Sequence, residues 1–210
     1  MISSATLLVF CITALVIIIT PGPNLIYIAT RSASQGRKAG LLSVLGVSCG
    51  TLIHVMAASL GLSALLVSSA LAFNTVKYLG AAYLIYLGLR TWLTETDGRE
   101  TVDLKPAGMA NICFQGMLTN VFNPKTALFF LAFLPQFVDT SLGHVAEQML
   151  LLGVILIFIG LVVDSTVAFV ANSAGDWLRR KTKVQQKQKW ITGGVYVTLG
   201  VSTALAGLEK

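Results

Sequence analysis

Six apolar stretches, each about as long as a membrane-spanning helix, limit what this chain can fold into. They cover residues 5–30, 39–62, 76–93, 112–134, 148–171 and 190–208. A helix needs about 20 apolar residues to cross the hydrocarbon core of a bilayer. The chain is 55% hydrophobic and only 11% charged, whereas a soluble domain is about 25% charged. The sequence therefore predicts an all-α integral membrane protein surrounded by the lipid bilayer.

Proline interrupts two of these stretches. Residues 20–24, Thr-Pro-Gly-Pro-Asn, lie within the first stretch, and residues 123–125, Asn-Pro-Lys, lie within the fourth. Proline lacks a backbone donor and clashes with the carbonyl one turn earlier, so we expect helices 1 and 4 to be broken at these motifs. Inside a bilayer the freed polar groups are tolerated only where protein or a water-filled cavity surrounds them. Transporters hold substrates and ions at breaks of this kind.

The two halves of the sequence resemble each other. The pattern Gly-x-x-Tyr followed by Leu-Gly occurs in residues 80–88 and again in residues 193–200, and Pro23 corresponds to Pro124. Each half contains three predicted spans, and because this number is odd we expect the second half to be inverted. The predicted architecture is one transporter domain over residues 1–210, with repeat one at about 1–95, a cytoplasmic linker at about 94–111 and repeat two at about 112–210.

The basic residues predict how the helices are oriented. Most Lys and Arg residues lie in the connections after the first, third and fifth stretches, while the opposite side contains only Lys77 and Lys210. Cytoplasmic connections carry an excess of Lys and Arg, so both termini are predicted to lie outside the cytoplasm. This rule also explains the formal net charge of +6. No nucleic-acid-binding motif accompanies that charge, and no nucleic-acid partner is expected.

Lys125 and Asp164 are charged residues expected inside the membrane. A Lys near the centre of a span costs about 2.5–3.5 kcal/mol on insertion scales. Lys125 could anchor an anionic group such as a carboxylate, form a structural ion pair, or extend towards the membrane surface. Asp164 shares one helical stripe with Gly160 and Ala168, so it should face other helices. It could bind a substrate ammonium, carry a coupling proton, or pair with Lys125.

Weaker candidates surround these charges. His54 lies on a stripe of small residues, where a neutral, hydrogen-bonded ring is the simpler interpretation and a proton relay is the alternative. Asn24 and Asn123 flank the breaks and could satisfy freed backbone groups or bind a ligand, and Gly22 could expose backbone to a ligand. The pair Gly46-x-x-x-Gly50 most simply allows close helix packing. Further polar candidates are Thr20, Asn120 and Thr126.

The sequence predicts neither an enzyme nor a bound cofactor or metal. It contains no P-loop, GxSxG, HExxH or Rossmann glycine pattern. Cys11, Cys49 and Cys113 are isolated, without the spacing of a zinc site or a disulfide framework. With no ATP site in the chain, any active transport would use an ion gradient or a partner protein.

These motifs resemble the LysE/RhtB family of amino-acid exporters, in particular its threonine, homoserine and leucine branch. The matching stretches are residues 20–24, 46–50, 77–88, 123–130 and 134–137, together with Asp164. The resemblance implies a six-span exporter of the bacterial inner membrane that moves amino acids by proton antiport. The family's motif positions correspond to Pro21, Gly22, Pro23, Asn24, Asn123, Pro124, Lys125 and Asp164. Some members have an acid where this chain has Thr51, so a role that depends on that acid is not expected here.

The leading hypothesis is a secondary exporter of small neutral amino acids such as threonine, homoserine or leucine. The substrate would bind between the two broken helices. Lys125 and backbone donors near residues 21–23 would hold its carboxylate, and Asp164 would hold its ammonium or a proton. His54 is the second candidate for proton coupling. Alternating access would come from one half rocking against the other.

Three other hypotheses remain open at this stage. An exporter of another small solute is one, but a divalent cation needs more oxygen ligands than this interior offers. A membrane thiol–disulfide oxidoreductase is the second, although inverted halves would place Cys11 and Cys113 near opposite membrane faces without a cationic neighbour. A membrane scaffold is the third, and it leaves the paired breaks and charges unexplained. The stripes of small residues could also serve a homo-oligomer interface.

Overall fold

The computed structural model describes residues 2–62, 70–93 and 107–178, together with residues 190, 194–195, 197–198, 200–201 and 203–205. Within these residues all regular structure is helical, as predicted for an all-α protein. The α-helices are α1 (Ser4–Ile19), α2 (Pro23–Gln35), α3 (Arg37–Ala57), α4 (Ala70–Leu93), α5 (Met109–Val121), α6 (Pro124–Leu128) and α7 (Val145–Leu178). Tighter or wider turns extend them: π-helical Ala58–Leu62 and Phe129–Phe133, and 3₁₀-helical Leu134–Phe137 and Thr140–Leu142.

Both predicted helix breaks are present. Helix α1 ends at Ile19 and α2 begins at Pro23, with a bend of 56° between them. Helix α5 ends at Val121 and α6 begins at Pro124, with a bend of 48° between α5 and the segment that follows. Each restarted helix has proline at its first position, where the missing N–H removes no helical hydrogen bond. The prolines therefore end one helix and begin the next.

Several of the described helices suit a membrane. By length and composition, Arg37–Gly61 and Val145–Ser173 can each cross a bilayer, and each bent pair can form one further span. Helix α4 covers the predicted third stretch but is not among these helices. Only part of the sixth stretch lies within the described residues, and Gly193 and Tyr196 of the second Gly-x-x-Tyr pattern lie outside them, as does most of the 94–111 linker. Six spans in two inverted repeats therefore stay a prediction.

Several helix boundaries differ from the predicted ones, and α5 and α7 are two examples. Helix α5 begins at Met109, after Gly108 in an extended conformation, whereas the linker was predicted to reach residue 111. Helix α7 contains 34 residues and extends past the predicted stretch 148–171 at both ends. Hydropathy marks the apolar centre of a helix, while its ends depend on capping and on polar residues that continue the helix outside the hydrocarbon.

Small residues let α3 and α5 pack closely. A Cβ added at Gly46 would lie 2.1 Å from the Cys113 carbonyl oxygen, and one at Gly116 would lie 2.9 Å from the Ser43 carbonyl oxygen. Neither carbonyl can move aside as a flexible side chain could. Close packing is therefore the role of the Gly46-x-x-x-Gly50 motif, as its sequence indicated.

An aromatic cluster fills the space between α1, α7 and the second break. Phe129, Phe130 and Phe133 are buried in the π-helical turn that follows α6, and they pack with Phe10 of α1 and Met149 of α7. Large apolar side chains are also exposed on the outer surface, as expected for helices in contact with lipid; they include Leu79, Val154 and Phe158. This cluster packs the segment after the second break against α1 and α7.

Candidate functional site

A cavity with polar and apolar walls lies among the broken helices, α3 and α7. About 60 Å³ of it is open to the centre of a water molecule, compared with the roughly 10–15 Å³ that a single water requires. Its lining residues are Ile17, Ile18, Asn24, Leu25, Val47, Ser48, Thr51, Lys125, Thr126, Phe129, Leu156, Ile157, Gly160 and Asp164. The cavity can hold several waters or a small solute.

The Lys125 side chain connects the two breaks. It is buried, and its Nζ donates hydrogen bonds to the carbonyl oxygens of Ile17 at 3.0 Å and Thr20 at 2.7 Å. The end of α1 leaves carbonyls in this region without helical partners, and a cation at a helix C-terminus is electrostatically favourable. A Lys ammonium has three donors, so one remains for a molecule in the cavity.

Asp164 lies on α7 and contributes a carboxylate to the same cavity. The residue is only 6% exposed, and no hydrogen bond from the described residues reaches its carboxylate. Lys125 lines the same cavity, but the two side chains form no direct ion pair. The structural pair considered from the sequence is therefore not formed. Instead the cavity contains a cation with a spare donor and an anion that accepts no hydrogen bond from the part of the chain that the structure describes.

Asn120 links three helices through one fully buried amide. Its Nδ2 donates to the Val47 carbonyl oxygen at 2.6 Å and to Thr51 Oγ1 at 2.7 Å, and its Oδ1 accepts from Asn24 Nδ2 at 3.0 Å. From the sequence alone, Asn120 is only a weaker candidate. Its partners are 69 to 96 residues away in the chain, so no local motif marks this network.

Asn123 supports the site from the second break. Its Oδ1 accepts a hydrogen bond from the backbone N–H of Lys125 at 3.0 Å, which caps α6. Gly22 packs beside the same lysine, since a Cβ added there would lie 3.3 Å from Lys125 Nζ. These two residues position Lys125 and are not part of the cavity wall.

The eight residues predicted to bind substrate therefore divide into two groups. Asn24, Lys125 and Asp164 line the cavity. The others form or cap the breaks; they are Pro21, Gly22, Pro23, Asn123 and Pro124. The cavity also has polar residues that sequence analysis did not place in the site, namely Ser48 and Thr51.

His54 lies outside the residues that line the cavity. Its Nε2 is 3.3 Å from the Asn120 carbonyl oxygen, and its ring stacks on Phe130 with centroids 5.5 Å apart. This is the hydrogen-bonded arrangement that the sequence favoured. A proton relay through His54 would have to reach the cavity through the Asn120 region.

The described residues contain no group of three or more His, Cys, Asp or Glu side chains that could hold a metal ion. The hypothesis of a divalent-cation exporter therefore gains no ligand set from them. Cys11, Cys49 and Cys113 are all free thiols.

The fold and the cavity define an all-helical membrane protein with broken helices around a charged interior site. The sequence model of the LysE type translocator matches residues 15–207. The chain belongs to this family, whose members are transporters, and the resemblance seen in the proline motifs is thereby confirmed.

Curated relatives agree with this assignment. The uncharacterized membrane protein YrhP of Bacillus subtilis (strain 168) is 30% identical over 210 residues, covering 96% of this chain and 99% of the relative. An uncharacterized membrane protein of Vibrio cholerae serotype O1 is 29% identical over 199 residues, covering 95% and 96%. The leucine efflux protein of Salmonella typhimurium is 29% identical over 204 residues, covering 96% and 94%. No solved structure matches the chain.

Proposed function

We propose that this protein exports small neutral amino acids from the cytoplasm across the bacterial inner membrane in exchange for protons. The observation that carries the proposal is the cavity with Lys125 and Asp164 in its wall and no ion pair between them. An amino acid has a carboxylate, which requires a positively charged donor such as Lys125, and an ammonium group, which requires a negatively charged acceptor such as Asp164. A relative of similar length is named a leucine efflux protein.

The cavity can bind each part of such a substrate. The remaining donor of Lys125 Nζ binds the carboxylate, and Asp164 accepts from the ammonium. The apolar wall contains Leu25, Phe129 and Leu156, and it can bury an aliphatic side chain at about 0.8 kcal/mol per CH₂ group. A charged substrate side chain would gain no additional partner from this wall, so neutral substrates are favoured.

Competition for Asp164 provides the coupling. The carboxylate can hold the substrate ammonium or a proton, and it cannot hold both at once. The substrate leaves Asp164 on the outer side of the membrane, and a proton binds the carboxylate in its place. When the cavity opens to the cytoplasm again, the proton is released there. Each substrate molecule exported is thereby exchanged for a proton that enters. The relative motion of the broken helices would alternate access to the cavity.

Efflux from reconstituted liposomes tests the proposal. Liposomes would be loaded with labelled leucine, threonine, homoserine or arginine, with and without an imposed proton gradient. We expect gradient-dependent efflux of neutral amino acids by the wild-type protein. Asp164→Asn keeps the side-chain volume and breaks no hydrogen bond seen in the structure, so this variant should insert and fold but lose the gradient dependence.

The matched control is Glu147→Gln, which changes an exposed acid near the start of the same helix. It should transport like the wild type. The proposal fails if folded, inserted wild-type protein releases none of these amino acids. The role of Asp164 fails if Asp164→Asn keeps full gradient-driven efflux.

A further inference from the structure

We infer that Asn24 binds the substrate's ammonium group through its side-chain oxygen, and that Asn120 is a positioning residue that sets the orientation of Asn24. The inference rests on the proposed function and extends it to the way the ammonium is recognised. It follows from the hydrogen-bond partners of the two amides.

The orientation of the Asn120 amide is determined by its neighbours. One of the two terminal atoms of the Asn120 side-chain amide lies 2.6 Å from the Val47 carbonyl oxygen, and a carbonyl oxygen can only accept a hydrogen bond. Thr51 Oγ1 lies 2.7 Å away, and its own proton is donated to the same Val47 carbonyl at 3.1 Å. Both contacts therefore require the Nδ2 group of Asn120. Its Oδ1 must point the other way, towards Asn24.

The orientation of Asn24 follows from that of Asn120. Because Asn120 presents an oxygen, Asn24 must present its Nδ2, and the two atoms are 3.0 Å apart. The reversed amide would bring two oxygens together at this distance. The Oδ1 of Asn24 is left buried, and no donor among the described residues forms a hydrogen bond with it. A buried acceptor without a partner costs about 1–3 kcal/mol, a cost that a donor from the cavity would remove.

Asn24, the residue that carries this acceptor, lines the cavity together with Asp164 and Lys125. An amide oxygen and a carboxylate together suit a primary ammonium, which has several donors to share. The Lys125 ammonium provides the hydrogen-bond donor and positive charge that the substrate's carboxylate requires. The inferred ligand class is therefore a zwitterionic α-amino acid, and a carboxylic acid that lacks the amino group should be discriminated against.

Competition binding to purified protein in detergent tests this inference. Labelled leucine would be displaced by unlabelled leucine or by 4-methylpentanoate, which has the same carbon skeleton without the amino group. We expect the wild type to prefer leucine. Asn24→Leu removes the acceptor, so leucine affinity should fall about tenfold, while 4-methylpentanoate affinity should change less than about threefold.

Asn120→Leu should reduce the leucine preference in the same way, because Asn24 loses the partner that orients it. A purely structural defect would weaken both ligands together and leave their ratio unchanged. The matched control is Asn111→Leu, an exposed asparagine on the same helix, which should keep the wild-type ratio. If Asn120→Leu fails to fold, Asn24→Leu decides the question.

The outcomes separate this inference from the proposed function. Undiminished preference for leucine in Asn24→Leu would overturn the inference while leaving amino-acid export intact. A wild-type protein that binds no amino acid would overturn the proposed function, and the inference with it.

Discussion

Lys125 has two tasks at the residue scale, one structural and one proposed to be functional. Its ammonium pairs with the Ile17 and Thr20 carbonyl oxygens and also faces the cavity. We predict that Lys125→Met lowers the melting temperature of the detergent-purified protein and abolishes efflux. Two buried carbonyls would lose their partner, each at a cost of about 1–3 kcal/mol.

The control for this variant is Lys38→Met, which changes an exposed lysine at the start of α3. Its melting temperature and efflux should match those of the wild type. Unchanged thermal stability in Lys125→Met would show that the two carbonyls find other partners and that the structural task is wrongly assigned.

The sequence reveals the charged residues of the site but not their contacts. Lys125 and Asp164 stand out because a charge inside an apolar stretch is costly and needs a reason. Asparagine is less conspicuous there, and Asn120 was given no more weight than Thr20 or Thr126. Its importance comes from partners on α2 and α3, which only the folded arrangement brings together.

At the element scale, the contact between α3 and α5 depends on glycine. We predict that Gly46→Ala strongly reduces the yield and thermal stability of the inserted protein. The new Cβ would lie 2.1 Å from the Cys113 carbonyl oxygen, so the helices would have to separate, and overpacking of this kind costs about 1–3 kcal/mol or more.

Gly160→Ala on α7 is the matched control, since a Cβ added there meets no atom of the described residues within 4 Å. A helical Gly→Ala change in open space should be neutral or stabilising by up to about 1 kcal/mol. Equal thermal stability of the two variants would contradict the packing argument. Purification yield and thermal unfolding in one detergent provide the comparison.

The positions of the helix breaks are predictable from the sequence because proline acts locally. The hydrogen bonds that join one break to the other are not predictable in this way. The motifs at residues 20–24 and 123–125 each determine their own backbone geometry. No local rule indicates that the lysine of the second motif bonds the carbonyls freed at the first. That pairing depends on how helices more than a hundred residues apart pack.

At the scale of the whole molecule, the two halves of the sequence are packed into each other. Helix α3, from the first half, makes its most extensive contacts with α5 and α7 of the second half. A simple rocking of one half against the other would disturb the contact of Gly46 with the Cys113 carbonyl. Motion of the broken helices relative to a fixed α3–α5 pair would leave that contact intact.

The orientation in the membrane stays a prediction at this scale. The distribution of Lys and Arg places both termini outside the cytoplasm. We expect a reporter that is active only in the cytoplasm to be silent when fused after Lys210, and to be active when inserted in the 94–111 linker. The opposite pattern would show that the whole topology is reversed.

The bonds from Lys125 to α1 also have a consequence for biogenesis. The Thr20 carbonyl leaves the ribosome 105 residues before its lysine partner, a delay of about 5–20 s at ordinary rates of translation. During this interval the Thr20 and Ile17 carbonyls of the nascent first helix lack Lys125, their hydrogen-bond donor in the folded protein. Water, headgroups or the insertion machinery must solvate them until synthesis reaches the second half. The hydrogen bonding of the first break is therefore completed only after Lys125 has been synthesised.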